Sequence, residues 1–201
     1  MSTLLHVIVT GNIGTGKTTL VQHLAGTVPG SLALPERPGL YLADLYRDPT
    51  TYAFRSQLDF TLQLLDLALT DASAEVIIQE RSIFDAHDVF SRTMLEAGHI
   101  TPRDFELLER IQRMTAARVR PAFLIFLEAT PPVAYERMRR RADIDETMMT
   151  MDYLERLGRA YAHWYSTFSL CPKVAIATDG KSAAEVAAVA AAAILARKTG
   201  G

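Results

Sequence analysis

Two groups of residues carry the chemistry this chain could do. Gly11-Asn-Ile-Gly-Thr-Gly-Lys-Thr18 fits the pattern G-x-x-x-x-G-K-[ST], between an apolar run and a helix-forming stretch. Glycines at such positions let successive backbone N–H groups face phosphate oxygens, and the helix that follows adds partial positive charge. The pattern predicts a nucleoside triphosphate cradle built from Gly11, Asn12, Ile13, Gly14, Thr15, Gly16, Lys17, Thr18 and Thr19. Lys17 is expected to reach the β- and γ-phosphates, and Thr18 to offer its hydroxyl to Mg²⁺. The second group is Val76-Ile-Ile-Gln-Glu-Arg-Ser82, an apolar run that ends in Glu80 and Arg81. Burying those two charges is costly unless each meets an opposite charge or a polar ligand. They belong either at the bound triphosphate or in a structural ion pair, while Ser82 suits a helix cap.

The elements that must position these groups are legible as alternation. Apolar strands are predicted over Leu4–Thr10, Ser31–Leu34, Val76–Gln79, Ala122–Glu128 and Val174–Ala177. Helical spacing covers Thr51–Thr70, a segment opening at Thr101-Pro102, Pro131–Arg141, Met151–Phe168 and the alanine-rich Ser182–Ala196. Strands alternating with helices predict an α/β fold, a three-layer sandwich of about five parallel strands with helices on both faces. Neither repeat nor low-complexity linker divides residues 1–201, so a single domain is expected.

Composition narrows the partners. The chain is 49% hydrophobic and 22% charged, with formal net charge −2, so no global basic field draws it to nucleic acid. No apolar run reaches the ~20 residues of a membrane span. The lone Cys171 has no intramolecular disulfide partner, which points to a reducing, cytoplasmic setting. GTPase signatures (a strand-end Asp-x-x-Gly, an Asn/Thr-Lys-x-Asp base reader) are missing, and no long apolar run ends in the aspartate of an ATPase motor.

Taken in order, GNIGTGKTT, the loop Pro35-Glu36, LYRDPTTYAFRSQ, QERSIF and PPVAYERMRRRADIDE resemble the deoxynucleoside kinase family from Leu4 to about Tyr165. The resemblance implies a P-loop kinase fold with a short arginine-rich LID over about residues 137–150. It further implies transfer of the γ-phosphate of ATP, with Mg²⁺, to the 5′-hydroxyl of a deoxynucleoside. On matched positions it assigns Glu36 as general base, Glu80 with Thr18 to the metal, and Arg81 to the acceptor hydroxyl and the transferring phosphoryl. Tyr46 and Glu146 match the pair at the sugar 3′-hydroxyl, and Gln57 matches the glutamine that reads the base. Phe54, one turn before Gln57, is either pocket wall or core. Arg137 and Arg141, four apart on one helix face, match arginines that close over the phosphates. Asp143 stands where many relatives carry a further arginine.

Base preference is read from two positions. Leu64 and Ala86 stand where cytidine-preferring relatives carry an arginine and an aspartate, so an uncharged pocket favouring pyrimidines, thymidine included, is expected. His87 and Asp88 are expected either at the surface or one layer behind the site. The family implies a homodimer packed through Ile83–Ala97 and Thr101–Val119. Two alternatives stay open on residues alone: a nucleoside monophosphate kinase resembling thymidylate kinase, and a non-catalytic nucleotide-binding regulator.

Overall fold

Five short apolar runs have no polar face to offer water, and they solve that by lying side by side between helices. The structure, a computed structural model, describes residues 4–70, 73–141 and 149–199. The strands are β1 (Leu5–Gly11), β2 (Ser31–Leu34), β3 (Val76–Glu80), β4 (Phe123–Glu128) and β5 (Lys173–Ala177). All neighbours run parallel, in the order β2-β3-β1-β4-β5. Each predicted strand is present to within a residue or so.

The helices are α1 (Lys17–Thr27), α2 (Leu42–Arg47), α3 (Pro49–Ala68), α4 (Ile83–Asp85), α5 (Arg92–Glu96), α6 (Pro102–Ala116), α7 (Pro131–Arg141), α8 (Met151–Thr167) and α9 (Ala183–Thr199). A π-helical turn, Ala86–Ser91, joins α4 to α5. Helix α3 begins two residues earlier than predicted because the Asp48 carboxylate caps the Thr51 amide and Pro49 takes the first turn. Ser82 and Thr101 each form a capping box, with Asp85 and Asp104.

Alternation along the strands splits the core. Val7, Val9, Val76, Ile78 and Ile125 face α1 and α9 in one cluster, while Ile8, Leu124 and Phe126 face α3, α6 and α8 in the other. The result is the three-layer sandwich. Helix α1 leaves β1 on one face and the chain leaves the neighbouring β3 on the other, which opens a crevice at their carboxyl ends. Residues 142–148, including Asp143 and Glu146, lie outside the described residues, so of the expected LID only the end of α7 and residues 149–150 can be placed.

Candidate active site

Strand register decides what meets at that crevice. Val9 pairs with Glu80 and Leu34 with Gln79, so the turn after β1, the end of β3 and the loop after β2 arrive together. Glu36, two residues beyond β2, receives its place from Glu80, whose Oε2 accepts the Glu36 amide at 3.2 Å. The other carboxylate oxygen, Oε1, accepts the Thr18 hydroxyl at 2.8 Å. One buried acid therefore ties the cradle to the loop after β2.

The cradle itself is held by close backbone approach. A Cβ at Gly14 would lie 2.2 Å from the Ala134 carbonyl oxygen, and φ there is +78°. Gly11 at β1's end has the same constraint, with 2.4 Å to the Leu127 oxygen. Asn12 donates through Nδ2 to the Leu154 carbonyl at 2.8 Å, which fastens the loop to α8. The Asn12 carbonyl accepts from both Thr15 Oγ1 and Lys17 Nζ at 2.8 Å. Burial, and after it the charge of Arg81, pushes the Lys17 ammonium down to about 7. Such a lysine gains most from an incoming anion.

Arg81 is the only non-glycine residue with positive φ among those described, at 59°. Such a conformation costs about 1–3 kcal/mol and persists only when its surroundings over-determine it. They do. Its amide donates to the Val9 carbonyl at 2.9 Å, its Nε to Glu36 Oε2 at 2.7 Å, and its Nη1 to the Tyr161 hydroxyl at 2.8 Å. The guanidinium also lies 4.5 Å from the Phe90 ring centroid. Burial opposes the charge, yet Glu36, the Tyr161 oxygen and Asp85 more than offset it, and Arg81 is held well above the ordinary guanidinium range. For Glu36 the balance goes the other way: burial raises its carboxyl, only partly countered by Arg81 and Lys17.

These groups line one cleft of about 270 Å³. Ile13, Gly14, Gly16, Lys17, Thr18, Thr19, Glu36, Tyr46, Gln57, Glu80, Arg81 and Ala86 all line it. Gln57 is buried on α3 and its Oε1 accepts from Ser91 Oγ at 3.3 Å. Phe54 is not in the cleft. It packs, half-buried, against the core, because the helix face carrying Gln57 presents Phe60 and Leu64 to the cleft instead. Arg137 is elsewhere too: its Nη1 and Nη2 donate to the Thr178 hydroxyl and carbonyl at 2.8 and 2.9 Å. It lines a neighbouring groove with Gly14, Thr15, Gly16 and Lys181. Arg141 ends α7, and Glu146 lies outside the described residues. Of the two places open to it, His87 is not at the surface: it is buried outside the cleft, its ring tilted against Phe105 at 4.7 Å and paired with Asp88 at 2.8 Å.

Sequence reasoning missed Phe60, Phe90, Met94, Met149 and Tyr153 in the cleft wall. Tyr153 lies among them, its hydroxyl raised by burial and then by Tyr46 nearby. The signal available was the face of α8 shared by Tyr153, Leu154, Leu157, Tyr161 and Trp164, all buried.

Among the described residues no cluster of three or more His, Cys, Asp or Glu could hold a metal alone. A Mg²⁺ ion commonly takes one or two protein oxygens and completes its shell with water and phosphate. The Thr18 hydroxyl and Glu80 carboxylate, adjacent at the cradle's mouth, fit that pattern. Among the described residues no helix is long and apolar enough to cross a membrane.

A strand–cradle–helix unit facing a carboxylate–guanidinium pair across the switch point of a parallel sheet defines a P-loop phosphotransferase. Its place in that class is given by sequence comparison. The chain belongs to the deoxynucleoside kinase family, whose model matches residues 7–192, and is accordingly an enzyme of the kinase class. It is 30% identical over 169 residues to a deoxyadenosine kinase of Dictyostelium discoideum, covering 82% of this chain and 68% of that one. It is 26% identical over 180 residues to the mitochondrial thymidine kinase 2 of Homo sapiens, covering 84% and 67%. A thymidine kinase of Ictalurid herpesvirus 1 is 34% identical over 177 residues, covering 79% and 73%.

Proposed function

We propose that the chain transfers the γ-phosphate of ATP to the 5′-hydroxyl of a deoxynucleoside, with pyrimidines, thymidine included, as favoured acceptors. One observation carries the reading: Glu36 and Arg81 are joined at 2.7 Å in the same cleft that Lys17, Thr18 and Glu80 enter from the cradle. In the reaction the acceptor oxygen forms a bond to the γ-phosphorus while the bond to the β–γ bridging oxygen breaks and ADP leaves. Glu36, raised by burial, takes the proton from the hydroxyl. Arg81 and Lys17 present fixed positive charge to the transferring group, the main protein contribution in such reactions. Thr18 and Glu80 would hold Mg²⁺, which when bound neutralises phosphate charge. Arg137 and Arg141, entering the LID, are assigned to the donor phosphates.

On the acceptor side Gln57 offers an amide donor and acceptor to a base edge, and Tyr46 is assigned to the sugar with Glu146. Leu64 and Ala86 make that wall apolar and small, which suits a thymine methyl and makes no charged demand on the base. Relatives carry names for deoxyadenosine as well as thymidine, so base choice is the part to be measured. A panel of the four deoxynucleosides with ATP and Mg²⁺, with thymidine monophosphate as control, tests both levels. Preference for thymidine and deoxycytidine in kcat/KM is expected. Higher kcat/KM for purines overturns the base assignment, and turnover of the monophosphate alone overturns the reaction.

A homodimer through the π-turn, α5 and α6 belongs to the same proposal, consistent with the exposure of Leu107 and Met114 seven residues apart on α6. Analytical ultracentrifugation tests it. The lone Cys171 is consistent with work in the reducing cytoplasm.

A further inference from the structure

Arg81 has a second carboxylate behind it, and nothing in the transfer reaction described above uses that group. Asp85 is fully buried and accepts four hydrogen bonds: from the Ser82 amide at 2.7 Å, Ser82 Oγ at 2.6 Å, Thr10 Oγ1 at 2.8 Å and the Tyr161 hydroxyl at 3.0 Å. The Ser82 contacts are a helix cap and explain only Oδ1. The Oδ2 atom receives Thr10 from β1 and Tyr161 from α8, two elements far apart in the chain. Tyr161 in turn accepts from Arg81 Nη1 at 2.8 Å, and Arg81 Nη1 stands 3.9 Å from Asp85 Oδ2.

Donor directions make this a relay with one sense. The Tyr161 hydroxyl has a single hydrogen, which it gives to Asp85, so its oxygen is free to accept from Arg81. The chain of donation runs from Arg81 to Tyr161 to Asp85, and Thr10 completes the carboxylate. Burial keeps the Tyr161 hydroxyl protonated well beyond the ordinary range, so this donor does not titrate away. The relay stands on the opposite end of the guanidinium from Glu36, which holds Nε.

We infer that Tyr161 and Asp85 are positioning residues for the reaction, a relay that fixes Arg81 in its left-handed conformation and balances its charge independently of Glu36. The inference rests on the proposed transfer, in which Glu36 loses its negative charge on taking the hydroxyl proton. A guanidinium with only Glu36 as partner would then lose its counter-charge and its aim. With Tyr161 and Asp85 holding Nη1, the guanidinium stays where the phosphoryl group passes. Phe90 beneath its face limits the remaining freedom.

The test is steady-state kinetics of the full chain with ATP and its best deoxynucleoside, together with thermal melting. Tyr161→Phe keeps the ring and deletes the link. A fall in kcat of about 10- to 100-fold is expected, the order that small misplacement of a reacting group costs. The KM of both substrates should stay within about threefold, as the ring's packing is retained. Asp85→Asn should lower kcat in the same direction, also with KM retained. A purely structural role would lower the melting temperature and leave kcat per folded molecule unchanged. Folded Tyr161→Phe with kcat within twofold of wild type overturns the inference alone, as does a loss seen only in KM. Should Tyr161→Phe not fold, Asp85→Asn decides by the same criteria. Wild-type protein that phosphorylates no deoxynucleoside overturns both the reaction and this role.

Discussion

Replacing Glu36 with Gln separates chemistry from architecture because the structure predicts opposite effects on the two. The amide keeps the size of the side chain and an oxygen that can accept from Arg81 Nε, now 2.7 Å away. It has no site basic enough to take the acceptor's proton. General-base assistance is worth about 10²–10⁴-fold, or roughly 3–5 kcal/mol of barrier. Stability should move little. Burial holds the Glu36 carboxyl above the ordinary value despite Arg81. An acid raised on folding binds more protons folded than unfolded, so stability falls as pH rises through that interval. At neutral pH, above the ordinary carboxyl value, ionised Glu36 is therefore not a net stabiliser, and a neutral amide relieves its desolvation. Arg81 keeps Tyr161 and Asp85 as partners. The expected result is kcat down 10²–10⁴-fold, nucleoside binding by calorimetry within about fivefold, and a melting temperature within about 2 °C of wild type or above it. Retention of kcat within tenfold would refute Glu36 as base. A collapse in melting temperature would refute the charge argument.

Three other outcomes are expected. Gly14→Ala places a Cβ 2.2 Å from the Ala134 oxygen at φ +78°, so the cradle must open; a loss of about 2 kcal/mol or more and at least tenfold weaker nucleotide binding should appear in melting and titration. Lys17, lowered to about 7, is mostly neutral at pH 8 and should regain its proton when a triphosphate binds. Calorimetry in buffers of different ionisation enthalpy should then show uptake towards one proton at pH 8, fading at pH 6 where the ammonium is already charged. Gln57→Leu preserves bulk and deletes the buried amide at the base wall. Nucleoside KM should rise about 10- to 100-fold with the KM of ATP nearly unchanged, and an equal rise in both would contradict its placement.

The cradle and the strands were legible because each is a local pattern with a local cause. Gly14 needs a left-handed backbone, Pro102 needs a first-turn position, and a parallel strand buried on both faces must be apolar throughout. The carboxyl-end meeting of Glu36, Glu80 and Arg81 was legible only through ordered resemblance, since register between strands is not written in any one of them. What escaped was held by side chains reaching across layers. Phe54 and Phe60 differ in sequence by less than two turns of α3, yet only Phe60 reaches the cleft, because helix rotation is set by packing against the π-turn and α6. Asp85 reads as a helix-cap partner of Ser82 and nothing more until Thr10 and Tyr161 arrive from other elements. Arg137 matches a phosphate-binding position, but Thr178 at the end of β5 fixes where it stands.

That division has a consequence for how selectivity and reaction are distributed. Glu36, Glu80, Lys17 and Arg81 sit at or just beyond strand ends and in the cradle, where sheet register and the contacts of Glu80 bring them together. Leu64, Ala86, Phe90 and Met94 line the same cleft from α3, the π-turn and α5, with the Gln57 amide among them. On the proposed reaction, a change in the first set is expected to affect every acceptor alike, and a change in the second to shift one base against another. The π-turn sharpens this separation. Its wide backbone turn lets Ser91 bond both the Ala86 carbonyl at 3.1 Å and Gln57 at 3.3 Å, so the Gln57 amide is tied to the π-turn. Relatives named for deoxyadenosine and for thymidine, at 30% and 26% identity to this chain, are compatible with a frame of that kind, in which one floor of charged groups serves walls of different shape.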